Sequence, residues 1–407
     1  MSSPPEDEWL TTAEAAHRLG VKRETLYAYV SRGMLTSRPS PAGRGSLFDP
    51  AEVSRLARRT RSGGRAGALE VVVDSRLTLL EPAGRLWLRG WDAEEACRRA
   101  TFEQVAEWLW SEEADPDALL AAAAPRFTAP EGQLALAAAA AAVLPGSAAP
   151  IERLRLAVAA AASADPLRFD RRREGVAESG RRILACAVSS LGSGLDPSAG
   201  IARCLWEALA PPGATGAEAV DAALVLLSDH ELASSTLAAR VAASTWADPY
   251  LVVMAGLAAL GGPLHGGVGD RVAALVRTAL ERGAAAAVGE QMREGEKVVG
   301  FGHMVYTGRD PRGSALLEVV RATWPSHPAV AAGDEIVGIV ASGGRTFPNI
   351  DFSLGVMLAA GGLAEGSAEV IFATARIAGW LAHAIEEYAH RLRYRARAAY
   401  TGPLPAR

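Results

Sequence analysis

The spacing of apolar and polar positions changes style once along this chain, and the change divides it. Near the start, Thr11 and Glu14 stand three apart ahead of apolar Ala15, Ala16 and Leu19. That is capping-box spacing, in which hydroxyl and carboxylate each accept from the other's backbone amide, so a short helix begins there. Gly20 ends it. Residues 21–32 predict a second helix, with Val21, Leu26 and Val30 inward and Lys22, Arg23, Thr25, Tyr27 and Arg32 outward. After Gly33, residues 34–48 predict a two-stranded ribbon that turns at Gly43-Arg44-Gly45 and carries the charges of Arg38 and Arg44. Asp49-Pro50 supplies an N-cap and a first-turn proline for a third helix, to about residue 59. Residues 61–69, RSGGRAGAL, have no period and read as a linker. Short strands are expected over residues 70–90, and from Asp92 onward the pattern is almost continuously helical. The alanine runs at 121–124 and 137–142 fit permissive helix packing.

Composition narrows the class. With 49% apolar and 22% charged residues in 407, the chain has globular and not fibrous or disordered character. Three cysteines, Cys97, Cys186 and Cys204, form no CxxC pair, which argues against a disulfide framework or zinc ribbon and for a reducing cytoplasm. No metal is expected. MSSPPEDEW is acidic where an export signal is basic then apolar. The apolar stretches at 134–144 and 250–264 are too short or too broken to span a bilayer, so no membrane partner is expected. Charge is uneven: residues 1–66 hold eleven Lys/Arg against seven Asp/Glu, the remainder 31 against 39. A basic module is joined to an acidic body, which points to double-stranded DNA as a partner of the first.

Helix, turn, helix, basic ribbon and further helix make a winged helix-turn-helix. The run LTTAEAAHRLGVKRETLYAYVSRGML resembles the MerR-type and excisionase-type modules, over about residues 9–60. In such a module the second helix enters the major groove while wing and basic side chains contact phosphates, which makes Lys22, Arg23, Thr25, Tyr27, Arg38 and Arg44 the candidate DNA contacts. A helical hairpin used only for packing is the alternative.

Six of the seven histidines lie beyond residue 229. His265 sits in GGPLHGG and His303 in GFGHMVY, and His230 follows Ser228-Asp229. Glycines beside a histidine let backbone amides approach a ligand and let the ring project from a loop. The segments GGPLHGGVGD, VVGFGHMVYTGRDPRG, FPNIDFSLGVML and IFATARIAGWLAHAIEE are similar, in this order, to the signature segments of citrate synthases. GRLWLRGWDAEEA looks like the family's early strand segment, and SDHELASSTLAARVAAST, residues 228–245, like its His-containing helix. The similarity covers about residues 70–407.

The resemblance implies condensation of acetyl-CoA, as co-substrate, with oxaloacetate, without a bound cofactor. An Asp of ordinary pKa cannot take the methyl proton unaided, so the enolate oxygen needs a donor while the base works. Asp351 matches the family's base, His265 the donor to the thioester oxygen, and His303 the group that polarises the oxaloacetate carbonyl. Arg312, Arg376 and Arg395 match its carboxylate-binding arginines, with Arg395 reaching a neighbouring subunit in a homodimer, and His230 matches a further substrate histidine. Met304 and Thr307 stand where bacterial members often carry basic residues near the CoA phosphates, leaving Arg309 close enough to serve. Ala233 replaces the Asn of the family's His-Glu-x-Asn, and Ala396 replaces a proline.

The expected architecture is mainly α: a winged helix-turn-helix with linker at 1–66, a large helical domain at 67–262 plus 363–407, and a small one at 263–362 that closes over substrates. Two rivals remain at this stage: a 2-methylcitrate synthase taking propionyl-CoA, and a transcription regulator that senses oxaloacetate or an acyl-CoA through a synthase-like body.

Overall fold

The N-terminal capping box forms as its spacing requires. In the computed structural model, which describes residues 9–19, 26–27, 29–30, 35–40, 45–50, 52–53, 72–262, 267–293, 297–344, 346–390, 393–395 and 402, the Thr11 amide donates to Glu14 Oε2 at 2.8 Å and the Glu14 amide to Thr11 Oγ1 at 3.3 Å. Helix Thr12–Leu19 follows. The chain divides into two units, Met1–Asp74 and Ser75–Arg407.

In the first unit the ribbon is present as β2 (Ser37–Pro39) antiparallel to β3 (Ser46–Phe48), and a third strand, β1 (Leu10–Thr11), flanks β3 on its other side. Two residues are too few to show a period, which is why the pattern gave no sign of β1. Ala15, Leu19, Leu26, Leu35, Phe48 and Val53 form the core. Of the second expected helix, Leu26, Tyr27, Tyr29 and Val30 are described and helical. Val21, Lys22, Arg23, Thr25, Gly43, Arg44 and the 61–69 linker lie outside the described residues.

The second unit begins with a small antiparallel sheet, β4 (Thr78–Glu81), β5 (Arg85–Leu88) and β6 (Trp91–Asp92), in that order. Asp92 then caps helix Ala93–Arg99 by accepting from the Glu94 and Glu95 amides. The helical pattern holds from there with one exception. Helix Pro116–Ala121 stops where the alanine run begins, and residues 121–124 are exposed. Pro125 follows, and a residue ahead of proline is pushed out of the helical region. The run at 137–142 is helical, within Glu131–Ala142.

Two helical groups follow from the contacts. Helix Ser367–His390 packs against Phe102–Trp110, Arg173–Ser189, Ala217–Leu227, Ser234–Ser244 and Pro249–Leu260. It is long and apolar enough to cross a membrane by length and composition, yet 94% of its apolar window is buried inside the protein, as in a core helix. The second group joins Val268–Arg282, Pro311–Thr323, Pro328–Ser342 and Ile350–Gly361. Close approach there depends on Gly355, where an added Cβ would lie 2.4 Å from Val272 Cβ. All three thiols are free, and burial pushes each up to about 12, which keeps them protonated and inert.

Candidate active site

Two chain segments are zipped together by backbone bonds, and the zip sets the site. Gly302 N donates to the Phe347 carbonyl at 2.8 Å and Asn349 N to the Gly300 carbonyl at 2.9 Å. Asn349 then caps helix Ile350–Gly361, its Oδ1 accepting from the Asp351 and Phe352 amides, while its Nδ2 donates to the Gly302 carbonyl at 3.0 Å. His303 and Asp351 are thereby fixed to one frame. Asp310 adds Arg312: it caps helix Pro311–Thr323, takes Arg312 Nε at 3.0 Å and Nη2 at 2.8 Å, and accepts the Ile350 amide at 3.1 Å. Burial opposes the Asp310 charge, but Arg312, His303 and the Ile350 amide hold its pKa below the usual range.

Against this frame stands His230. Its ring meets His303 edge-on at 5.2 Å between centroids, and its Nε2 lies 3.0 Å from the Tyr306 hydroxyl. Tyr306 lies 4.7 Å from His303 by ring centroids, and the Arg312 guanidinium sits 5.9 Å over its ring. Arg376, on helix Ser367–His390, is buried and gives Nε to the Leu227 carbonyl at 2.9 Å; its guanidinium lies 4.9 Å over the Phe372 ring, and its two terminal nitrogens have no hydrogen-bond partner among the described residues. Buried donors on a cation without an acceptor are costly, and an anion placed beside them would satisfy them. Burial lowers the Arg376 pKa to about 10, which leaves it charged at neutral pH.

The protonation states follow from the hydrogen bonds. His303 Nδ1 accepts from the Val305 and Tyr306 amides at 3.1 and 3.4 Å, so its ring proton belongs on Nε2. Arg312 Nη2, engaged on Asp310, lies 3.4 Å from that Nε2, a long contact beside the two amide bonds that hold Nδ1. Burial and the Arg312 charge lower the His303 pKa, and burial with Arg312, Arg376 and His303 lowers that of His230 well below the ordinary value. Both rings are neutral donors at pH 7. Asp351 moves the other way. Burial, with Asp310 adding repulsion and Arg312 and Arg376 opposing, pushes it up to about 6. Asp351 keeps some accessible surface.

Of the expected residues, His230, His303, Arg312, Arg376 and Asp351 converge. His265 lies outside the described residues. Arg395 is exposed, beyond the last helix. Arg309 forms an ion pair with Glu94 and gives Nε to the Gly84 carbonyl at 3.3 Å, so a phosphate would have to displace Glu94. Met304 is 85% exposed, and Thr307 is tied to the Pro82 carbonyl through both its amide and its hydroxyl. One placement differs from expectation: His230 is not on a helix but in the turn between Ala217–Leu227 and Ser234–Ser244, where Glu231 takes a φ of +55°. Tyr306 and Asp310 were missed. Asp310-Pro311 carries the same N-cap signature that marks Asp49-Pro50, and that signal was available. In the first unit Tyr27 is 46% exposed, and Arg38 stacks over Trp9 at 3.9 Å.

A mostly helical body thus brings two neutral histidines, a raised carboxyl and the buried Arg376 guanidinium together. Comparison with known proteins gives the family. The family described as citrate synthase, C-terminal domain, matches residues 68–397, and a helix-turn-helix domain matches residues 9–61. Citrate synthase 2 of Bacillus subtilis is 34% identical over 236 residues, which are 54% of this chain and 62% of that protein. Citrate synthase of Saccharolobus solfataricus is 39% identical over 199 residues, 46% of this chain and 52% of that one. These alignments thus span little more than half of the relatives' length. Among solved structures, a ternary complex of carboxymethyl coenzyme A and oxaloacetate with Thermoplasma acidophilum citrate synthase gives a TM-score of 0.67 at 26% identity, covering 83% of this chain and 95% of that one. Pyrobaculum aerophilum citrate synthase gives 0.68 at 25%, covering 91% and 96%. The chain belongs to the citrate synthase family and carries a helix-turn-helix domain at its N-terminus.

Proposed function

We propose that the body condenses acetyl-CoA with oxaloacetate to give citrate and CoA. The observation that carries this reading is the buried Arg376 guanidinium, whose terminal nitrogens have no hydrogen-bond partner among the described residues, beside the neutral His303 and the raised Asp351. Arg312 and Arg376 take carboxylates of oxaloacetate, and His303 Nε2–H donates to its keto oxygen. Asp351 removes a methyl proton from acetyl-CoA while His265 donates to the thioester oxygen, so the enolate charge is never left bare. The enol carbon then bonds to the keto carbon, and the former keto oxygen takes its proton from His303. Water finally cleaves the citryl thioester, releasing CoA as the thiol. Arg395 completes the carboxylate shell of the neighbouring subunit's site in a homodimer.

A thiol-release assay with acetyl-CoA and propionyl-CoA, each with and without oxaloacetate, tests this. Release that requires oxaloacetate and favours acetyl-CoA is expected. Preference for propionyl-CoA would replace the reading by 2-methylcitrate synthesis, a difference of one methylene worth about 1–3 kcal/mol in an apolar pocket. No release with either, together with oxaloacetate binding, would make the body a sensor. The N-terminal unit binds double-stranded DNA in this reading, supported by its excess of basic residues and the helix-turn-helix match. A cytoplasmic location fits the buried free thiols.

A further inference from the structure

Next to these site residues lies a second set of charges, none of which the proposed condensation uses. Asp229, next to His230 in the chain, is fully buried; its carboxylate accepts the Thr78 hydroxyl and lies 3.3 Å from His383 Nε2. His383 is buried on helix Ser367–His390, and its Nδ1 lies 2.6 Å from Arg240 Nη1. Arg240, with no exposed surface, also gives Nε to Glu387 at 2.7 Å and to the Tyr394 hydroxyl at 3.2 Å, and Nη1 to Glu386 at 2.8 Å. Tyr394 in turn donates its hydroxyl to Glu387 at 2.8 Å.

The direction of these bonds is forced. A guanidinium only donates, so His383 Nδ1 must accept, and the single ring proton sits on Nε2 and goes to Asp229. Burial would raise the Asp229 pKa, but His383, Arg376 and Thr78 together hold it below the usual range, so the acceptor stays ionised. The turn carrying Asp229 is pinned a second time, by Gly379 N donating to the Ser228 carbonyl at 3.1 Å; a Cβ at Gly379 would stand 2.4 Å from that oxygen and 2.5 Å from Asp229 Oδ1.

We propose that Asp229, His383 and Arg240 are positioning residues for the substrate site, one buried ionic chain holding three substrate-binding groups in register. Asp229 fixes the turn that presents His230. His383 fixes that turn against the helix that presents Arg376, seven residues earlier on the same stripe. Arg240 and Glu387 fix Tyr394, and with it the adjacent Arg395. The inference rests on the oxaloacetate reading above for what these groups hold, and on geometry alone for the chain itself.

His383→Leu keeps volume and removes both bonds; His383→Gln keeps one acceptor and one donor. The expected result is an oxaloacetate Kd, by calorimetry, and a KM raised about tenfold by the Leu variant, with kcat changed less, and restored to within about threefold of the parent by Gln. Tyr394→Phe, which touches no core packing, should raise the oxaloacetate KM about threefold with the acetyl-CoA KM unchanged. A folded Leu variant with parental oxaloacetate affinity, or Leu and Gln variants equally impaired, would overturn the proposal. Should the Leu variant not fold, Tyr394→Phe decides: a parental KM overturns it. The 15N spectrum of the His383 ring is read without substrate and so stands apart from the assignment of the reaction. A protonated Nε2 and bare Nδ1 are expected; a proton on Nδ1 overturns the chain whatever the enzyme's substrate is.

Discussion

Asp351→Asn should lower activity and raise stability at once, with a pH dependence that identifies the cause. The carboxyl is pushed up to about 6 in the folded protein, against about 3.9 in an unfolded chain. Between those values the folded state holds a proton that the unfolded state has released, so stability falls as pH rises through that window and the loss is complete above about 6. A shift of about two units corresponds to about 3 kcal/mol at neutral pH, an upper figure because an amide in the same place still has to be desolvated. Asn removes the penalty along with the base. Turnover should drop at least about a hundredfold with oxaloacetate binding retained. Denaturant unfolding of parent and variant at pH 4, 5, 6 and 7.5 measures the rest: the variant should be the more stable by about 1–3 kcal/mol at pH 7.5, and its advantage should shrink toward acid pH. A stability difference that is constant from pH 4 to 7.5 would refute the raised carboxyl, and turnover within threefold of the parent would remove Asp351 from the mechanism. In the parent, kcat/KM should fall as pH drops below about 6, as the base protonates.

Mixed dimers of Arg395→Ala and Asp351→Asn subunits, refolded together from an equimolar mixture, should recover about a quarter of parental activity, since half the dimers are mixed and each has one intact site. No recovery, with mixed dimers seen by mass, would show that Arg395 serves its own chain. Lys22→Ala with Arg23→Ala should weaken duplex binding and flatten its salt dependence by about two units of slope, measured by fluorescence anisotropy; an unchanged slope would take both residues off the phosphate backbone. Arg309→Ala should raise the acetyl-CoA KM about fivefold while Glu94→Gln lowers it, because Glu94 now occupies the guanidinium. Equal effects of both variants would make the pair purely structural.

The sequence by itself determined the local features. Capping needs only neighbours along the chain, so Thr11 with Glu14, Asp92 ahead of its helix, and the Asp49-Pro50 start are all legible from spacing. The helical body was legible too, because apolar periodicity writes itself into every turn. His303, Arg312, Arg376 and Asp351 were found because their segments resemble the signature segments of citrate synthases, His303 being marked by its flanking glycines as well. What one chain position cannot record is its distant partner. The pairing of β1 with β3, the zip of Gly300 and Gly302 onto residues 347–349, and the chain from Asp229 to Tyr394 join positions up to 165 residues apart in sequence. Nothing near Asp229 in the chain marks it as buried; its partner His383 stands 154 residues on. Protonation was decided at the same level. Burial and opposing charges raise Asp351 and lower His230 and His303, and both depend on which groups the fold encloses together, a property of the packed interior and not of any segment.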